Sequence, residues 1–97
     1  MAMHIITRKR ITEAKGLHTE CESALASWLR VIEDNEFKSF AALKATFNSV
    51  DKVEHLYVFD IGGNKLRLIA SIHFNRQKLY IRHILTHKEY DKGKWRE

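Results

Sequence analysis

Proline is absent from the 97 residues, cysteine occurs once, and there are four glycines. With no proline, breaks between elements must be read from glycines and helix caps. With Cys21 alone, an internal disulfide and a four-thiolate zinc site within one chain are both excluded. No apolar run approaches the roughly 20 residues needed to span a bilayer, and mean hydropathy is −0.39. The opening Met1-Ala2-Met3-His4-Ile5-Ile6 runs into Arg8-Lys9-Arg10 after two isoleucines, which is not the pattern of a secretory signal. Linkers, repeats and low-complexity tracts are missing too. At 44% hydrophobic residues the chain can close one core, so a single domain over 1–97 and a cytoplasmic location without membrane association are expected.

Charge is present in excess of one sign. Lysine and arginine number 17 against 12 acidic residues, a net charge of +5. The excess is uneven: residues 1–50 carry 7 basic and 6 acidic groups, residues 51–97 carry 10 and 6. Between Gly62 and Arg96 the ratio is 9 to 2. A basic stripe confined to one region suits a polyanion, most often nucleic acid, although a solvated basic face without a ligand fits the count equally well.

Hydropathy patterning predicts helices first and strands later. Met3–Ile6 is a short strand candidate, followed by a helix capped by Thr7 and stopped at Gly16. Thr19 and Glu22 form a capping-box pattern ahead of a second helix, whose face is Cys21, Leu25, Trp28, Leu29 and Ile32. Cys21 is thereby a core residue. Phe37, Phe40, Leu43 and Phe47 recur at three and four, which predicts a third helix capped by Ser39, its aromatics packed in the core. Leu56–Ile61 then reads as a strand ending at Gly62-Gly63-Asn64. From Lys65 to Phe74 the pattern alternates strictly, with Leu66, Leu68, Ala70, Ile72 and Phe74 on one side. A Gly-Gly-Asn turn makes these two strands a hairpin. Asn75-Arg76-Gln77 turns into a third strand, in which Leu79, Ile81, His83 and Leu85 oppose Tyr80, Arg82, Ile84 and Thr86. The expected class is α+β: a short N-terminal strand and helices packed on one face of a small antiparallel sheet, a three-stranded meander.

If the apolar side of Leu66–Phe74 packs on the helices, the other side carries Lys65, Arg67, Ser71 and His73 into solvent, joined by Arg82 from the next strand. Converging arginine and lysine can hold a phosphate backbone, or can be an ordinary solvated face. Where the third strand ends, His87 and Tyr90 are three apart, so one helical turn puts them on the same side. A histidine, a tyrosine and nearby arginines are the parts for RNA cleavage by its own 2′-hydroxyl: a proton acceptor, cations for the crowded phosphorane and an acid for the leaving 5′ oxygen. They also occur as plain surface residues. A metal reading of His83 and His87 is set aside, since the pair straddles a strand end with no CxxC or HExxH beside it. Neither a metal nor another cofactor is expected.

Two longer motifs carry a resemblance. Ile61-Gly62-Gly63-Asn64-Lys65-Leu66-Arg67-Leu68-Ile69 and Tyr80-Ile81-Arg82-His83-Ile84-Leu85-Thr86-His87-Lys88-Glu89-Tyr90-Asp91-Lys92 closely resemble the HigB toxins of bacterial toxin–antitoxin modules. Met3–Ile6 and Phe40–Phe47 look similar as well. The resemblance implies a RelE-like fold and a metal-independent endoribonuclease, an mRNA interferase that cuts messages on translating ribosomes by 2′-hydroxyl attack. It also implies a HigA-type helix-turn-helix antitoxin, with operator DNA met only through the toxin–antitoxin complex. By the same resemblance Arg67 stabilises phosphate, Arg82 contacts RNA or ribosome, and His87 and Tyr90 transfer protons and orient the nucleotide. Lys65, Lys88 and Lys92 tether phosphates. Leu66 departs from the aromatic that many relatives carry, a change facing the core. Two other readings differ in kind: a ParE-like toxin that poisons gyrase on the same scaffold, and a non-catalytic RNA-binding domain.

Overall fold

The computed structural model describes residues 3–63 and 65–96; Met1, Ala2 and the Asn64 of the predicted hairpin turn lie outside the described residues. In chain order the regular elements are β1 (His4–Ile6), α1 (Lys9–Leu17), α2 (Glu22–Asp34), α3 (Phe40–Thr46), β2 (Asp51–Val53), β3 (Leu56–Ile61), β4 (Leu66–His73), β5 (Lys78–Thr86) and α4 (His87–Asp91). The strands form one mixed sheet of five, ordered β1-β5-β4-β3-β2. The α+β class stands, and the three-stranded meander is its centre. Two short strands enlarge it: β2 pairs antiparallel with β3, and β1 pairs parallel with β5. Three-residue strands are below the length at which alternation can be recognised, which is why neither pairing was legible.

The helices cover one face of this sheet. Cys21, Leu25, Trp28 and Ile32 of the expected α2 stripe are buried together with Phe59, Leu68 and Leu79. Trp28 meets Phe59 edge-on with ring centroids 5.3 Å apart, and Phe47 meets the same ring at 5.3 Å. The phenylalanines therefore pack in or against the core, but of the expected helical set only Phe40 and Leu43 lie within α3; Phe37 precedes it and Phe47 follows it. Ser39 caps α3, its hydroxyl accepting from the Ala42 N–H at 3.2 Å.

The other two caps are corrected. Thr19 begins a short 3₁₀ turn and Cys21 precedes α2, with no side-chain cap hydrogen bond. Gly16 lies inside α1, which runs to Leu17. Thr7 stands ahead of the helix at φ +65°, where its hydroxyl accepts from the Ile81 N–H at 3.0 Å and lies 3.2 Å from the Ile81 carbonyl. A β-branched residue in left-handed backbone is costly, and here the cost is met by fastening the start of α1 to β5.

Gln77 does similar work at the β4–β5 turn. It is buried in left-handed backbone at φ +52°, and its amide accepts from Phe37 N–H at 3.1 Å while donating to the carbonyls of Phe37 (2.6 Å) and Phe74 (2.7 Å). All this joins the α2–α3 loop to the β4–β5 turn. Gln77→Leu would leave the Phe37 N–H and carbonyl without partners, and is expected to cost about 2–4 kcal/mol. Urea unfolding with an unchanged m-value checks it; a loss under 1 kcal/mol (about one lost hydrogen bond) would show that the splint is dispensable.

The largest correction concerns the exposed face. Ile69 is fully buried there, in a second cluster with Leu56, Val58 and Trp95. Of the residues expected in solvent, Lys65 and His73 are exposed, Ser71 is half-buried, and the Arg67 side chain is only 13% exposed. The register of β5 also shifts within the strand. Ile69 pairs with His83 but Ala70 pairs with Ile81, so Arg82 is an extra residue, a β-bulge. The bulge inverts the alternation: Leu79 and Ile81 face the helices, whereas His83 and Leu85 share the face of Arg67 and Ile69.

Candidate functional site

The site is built on the second face, where β4, β5 and α4 meet. α4 is short, and its start is fixed by the residues themselves. The Thr86 hydroxyl accepts from Glu89 N–H at 3.2 Å, and the Glu89 carboxylate accepts from Thr86 N–H at 2.9 Å. This capping box satisfies two donors that a helix start leaves open. The Thr86 backbone bond, then its hydroxyl, holds the Glu89 carboxyl below the usual carboxylate range. His87, the first residue of the helix, is 56% exposed, and its Nδ1 lies 3.0 Å from Asp91 Oδ2 one turn on.

Gly93, at φ +73°, closes the turn after α4, and its N–H donates to the Tyr90 carbonyl at 3.0 Å. The chain then folds back so that Trp95 Nε1 donates to the same carbonyl at 3.0 Å and the indole stacks on Tyr90 at 5.1 Å, 13° from parallel. Tyr90 in turn lies over Arg67, with the guanidinium carbon 5.5 Å from the ring centroid, a cation–π distance. On β3, Asp60 is the residue paired directly with Arg67. Arg67 Nη1 sits 2.8 Å from Asp60 Oδ1, an ion pair without hydrogen-bond geometry; that nitrogen has no other hydrogen-bond partner among the described residues. Carboxylate and aromatic ring together fix the guanidinium, yet they leave a buried N–H uncommitted.

The sequence-derived set is thus partly assembled. Arg67 and Tyr90 touch, His87 stands on Tyr90's helix, and the exposed Lys88 and Lys92 stand on and just after it. Lys65 is exposed at the start of β4. Arg82 is not part of this cluster. Arg67 pairs with Leu85, three residues further along β5 than Arg82, so the two arginines are separated by about 10 Å of strand. Arg82 instead accompanies Arg10 and His83 beside Thr7 and Tyr80. Burial, then the charges of Arg10 and Arg82, push the His83 imidazole below its ordinary value, which keeps it neutral.

Asp60, Asp91, His83 and Trp95 were missed. The hairpin register could have revealed Asp60, since pairing Ile61 with Leu66 sets Asp60 opposite Arg67. Asp91 follows from the i,i+4 rule once α4 is accepted. His83 was hidden by the bulge, and nothing local announces where Trp95 packs.

A family profile for HigB toxins, the RelE-like toxic component of a toxin–antitoxin system, matches residues 21–93. The chain belongs to the HigB toxin family. The mRNA interferase toxin HigB of Escherichia coli strain K12 is 41% identical over 92 residues, which is 92% of this chain and 88% of that protein. The mRNA interferase HigB of Shigella flexneri matches to the same extent. Another mRNA interferase HigB, from Escherichia coli O6:H1, is 36% identical over 93 residues, 93% of this chain and 90% of the relative. The HigB match contains every site residue named from the sequence, whereas Arg10 and Trp95 lie outside it. As the toxic component, this HigB-family chain has an antitoxin as its counterpart. Among the described residues no helix is long and apolar enough to cross a membrane.

Proposed function

We propose that this toxin cleaves messenger RNA on translating ribosomes and that a HigA-type helix-turn-helix antitoxin neutralises it. The observation that carries the reading is the Asp60–Arg67–Tyr90–Trp95 stack beside His87, in a chain 41% identical to an mRNA interferase. In this scheme the ribose 2′-oxygen attacks the adjoining phosphorus. Its proton passes to His87 Nε2, which has a free lone pair when Nδ1–H donates to Asp91. The bond from phosphorus to the 5′ oxygen breaks, and an acid protonates the leaving oxygen, with Tyr90 orienting the nucleotide. Arg67, held before the substrate arrives, meets the extra charge of the phosphorane with its planar fork. Lys65, Lys88 and Lys92 supply point charges for flanking phosphates. No step of this scheme calls on a metal.

Primer extension on one reporter message tests this, with toxin added to translating ribosomes, to idle ribosomes and to naked RNA. Codon-phased cuts only during translation are the expected result. Cuts on naked RNA would remove the ribosome requirement and keep the nuclease. No cuts from a folded, growth-inhibitory protein would end the nuclease reading, and supercoiling inhibition would then identify gyrase as the target.

A further inference from the structure

Two clefts flank β5 on the side of His83, and His83 lines both. One, of about 310 Å³, runs between Thr7, Arg10, Tyr80, Ile81 and Arg82. The other, of about 300 Å³, lies under the chain's last turn and includes Leu85, Lys92, Lys94 and Trp95. Sharing His83, the two make one groove with cations at both ends. The Arg82 end is built. The bulge leaves Arg82 unpaired in the sheet and turned outward, and the Thr7–Ile81 hydrogen bonds bring the first turn of α1, with Arg10, alongside it. Neither arginine has an acidic partner among the described residues, unlike Arg8 with Glu33 or Arg67 with Asp60. Glu89, the one acid lining the groove, is engaged by Thr86.

We propose that this groove is a binding site for single-stranded RNA, in which Arg10 and Arg82 clamp a backbone phosphate remote from Arg67 and Lys92 and Lys94 hold the strand at the other end. Two adjacent guanidinium groups without a counter-ion suit a phosphate, to which each can donate twice. The neutral imidazole of His83 separates the cationic ends without adding repulsion. The proposal deepens the nuclease reading and rests on it for the choice of ligand.

A fluorescent RNA oligonucleotide carrying 2′-O-methyl groups throughout cannot be cut by its own hydroxyls, so it reports binding separately from cleavage. In fluorescence anisotropy across a salt series, Arg10→Ala and Arg82→Ala should each weaken binding roughly tenfold, and each should lower the salt slope by roughly 0.7. The lysine variants should keep the slope and recover part of the affinity. Both arginines are exposed, so thermal melts should be unchanged and any loss attributable to contact. Binding of this oligonucleotide that is indifferent to both arginines would overturn the groove, as would failure of the wild-type toxin to bind it. So would variants that lose the antitoxin and retain RNA. Groove-dependent binding by a protein that cuts no message would keep the groove and sink the nuclease.

Discussion

Arg67→Ala is expected to lower message cleavage by about 10²–10³-fold, the loss typical when a preorganised donor is removed from a developing charge. The effect should exceed any change in folding. Arg67 is largely buried and Asp60 only partly exposed, so the substitution also costs stability, and rates are to be compared at equal folded fraction. Arg67→Lys keeps a charge, loses the fork and gives up the flat surface beneath Tyr90, so only a fraction of activity should return. Tyr90→Phe preserves the ring over Arg67 and the stack on Trp95 while deleting the hydroxyl. It separates holding the arginine from handling a proton or a nucleotide. Cleavage by Arg67→Ala within tenfold of wild type would remove Arg67 from the chemistry.

His87→Ala should cost about 10²–10⁴ in the cleavage rate if its imidazole moves the 2′ proton. Asp91 acts through it, as a positioning residue. Asp91→Ala should cost about tenfold, and Asp91→Asn, which retains an acceptor for Nδ1–H, should restore most of that. A merely structural Asp91 would show no such difference between alanine and asparagine. Single-turnover rates on ribosome-bound message give the comparison. Undiminished growth inhibition by both His87→Ala and Tyr90→Phe would point instead to a domain that binds RNA without cutting it.

How far the sequence could be read depended on the range of the interactions involved. Helices α2 and α3 and the β3–β4 hairpin were legible because their signals are local: apolar spacing in Cys21–Ile32, a cap at Ser39, glycines at 62 and 63. Gly62 is also fixed by packing, since a Cβ there would lie 3.1 Å from Cys21 Sγ. What failed was long-range. Thr7 has the side chain of a helix cap, and its hydroxyl is taken by Ile81, 74 residues away. Alternation along β5 assigned His83 to the core face because a single inserted residue, Arg82, cannot be seen without the partner strand. Trp95 turned an expected solvent face into a second core, and with it changed Arg67 from an open cation to one held between a carboxylate and an aromatic ring. For the site, the right residue types were named from the motifs, and their working geometry came from contacts between distant segments.

The sheet places β1, near the beginning of the chain, beside β5, near its end. During synthesis β1 emerges early and has no neighbour to pair with; β5, α4 and Trp95 are still inside the ribosome when everything before them is out. A nascent chain halted before Tyr80 should accordingly be digested by protease like an unfolded one, and resistance there would argue that the first half folds alone. The polypeptide cannot assemble its site until β5, α4 and Trp95 have emerged from the ribosome.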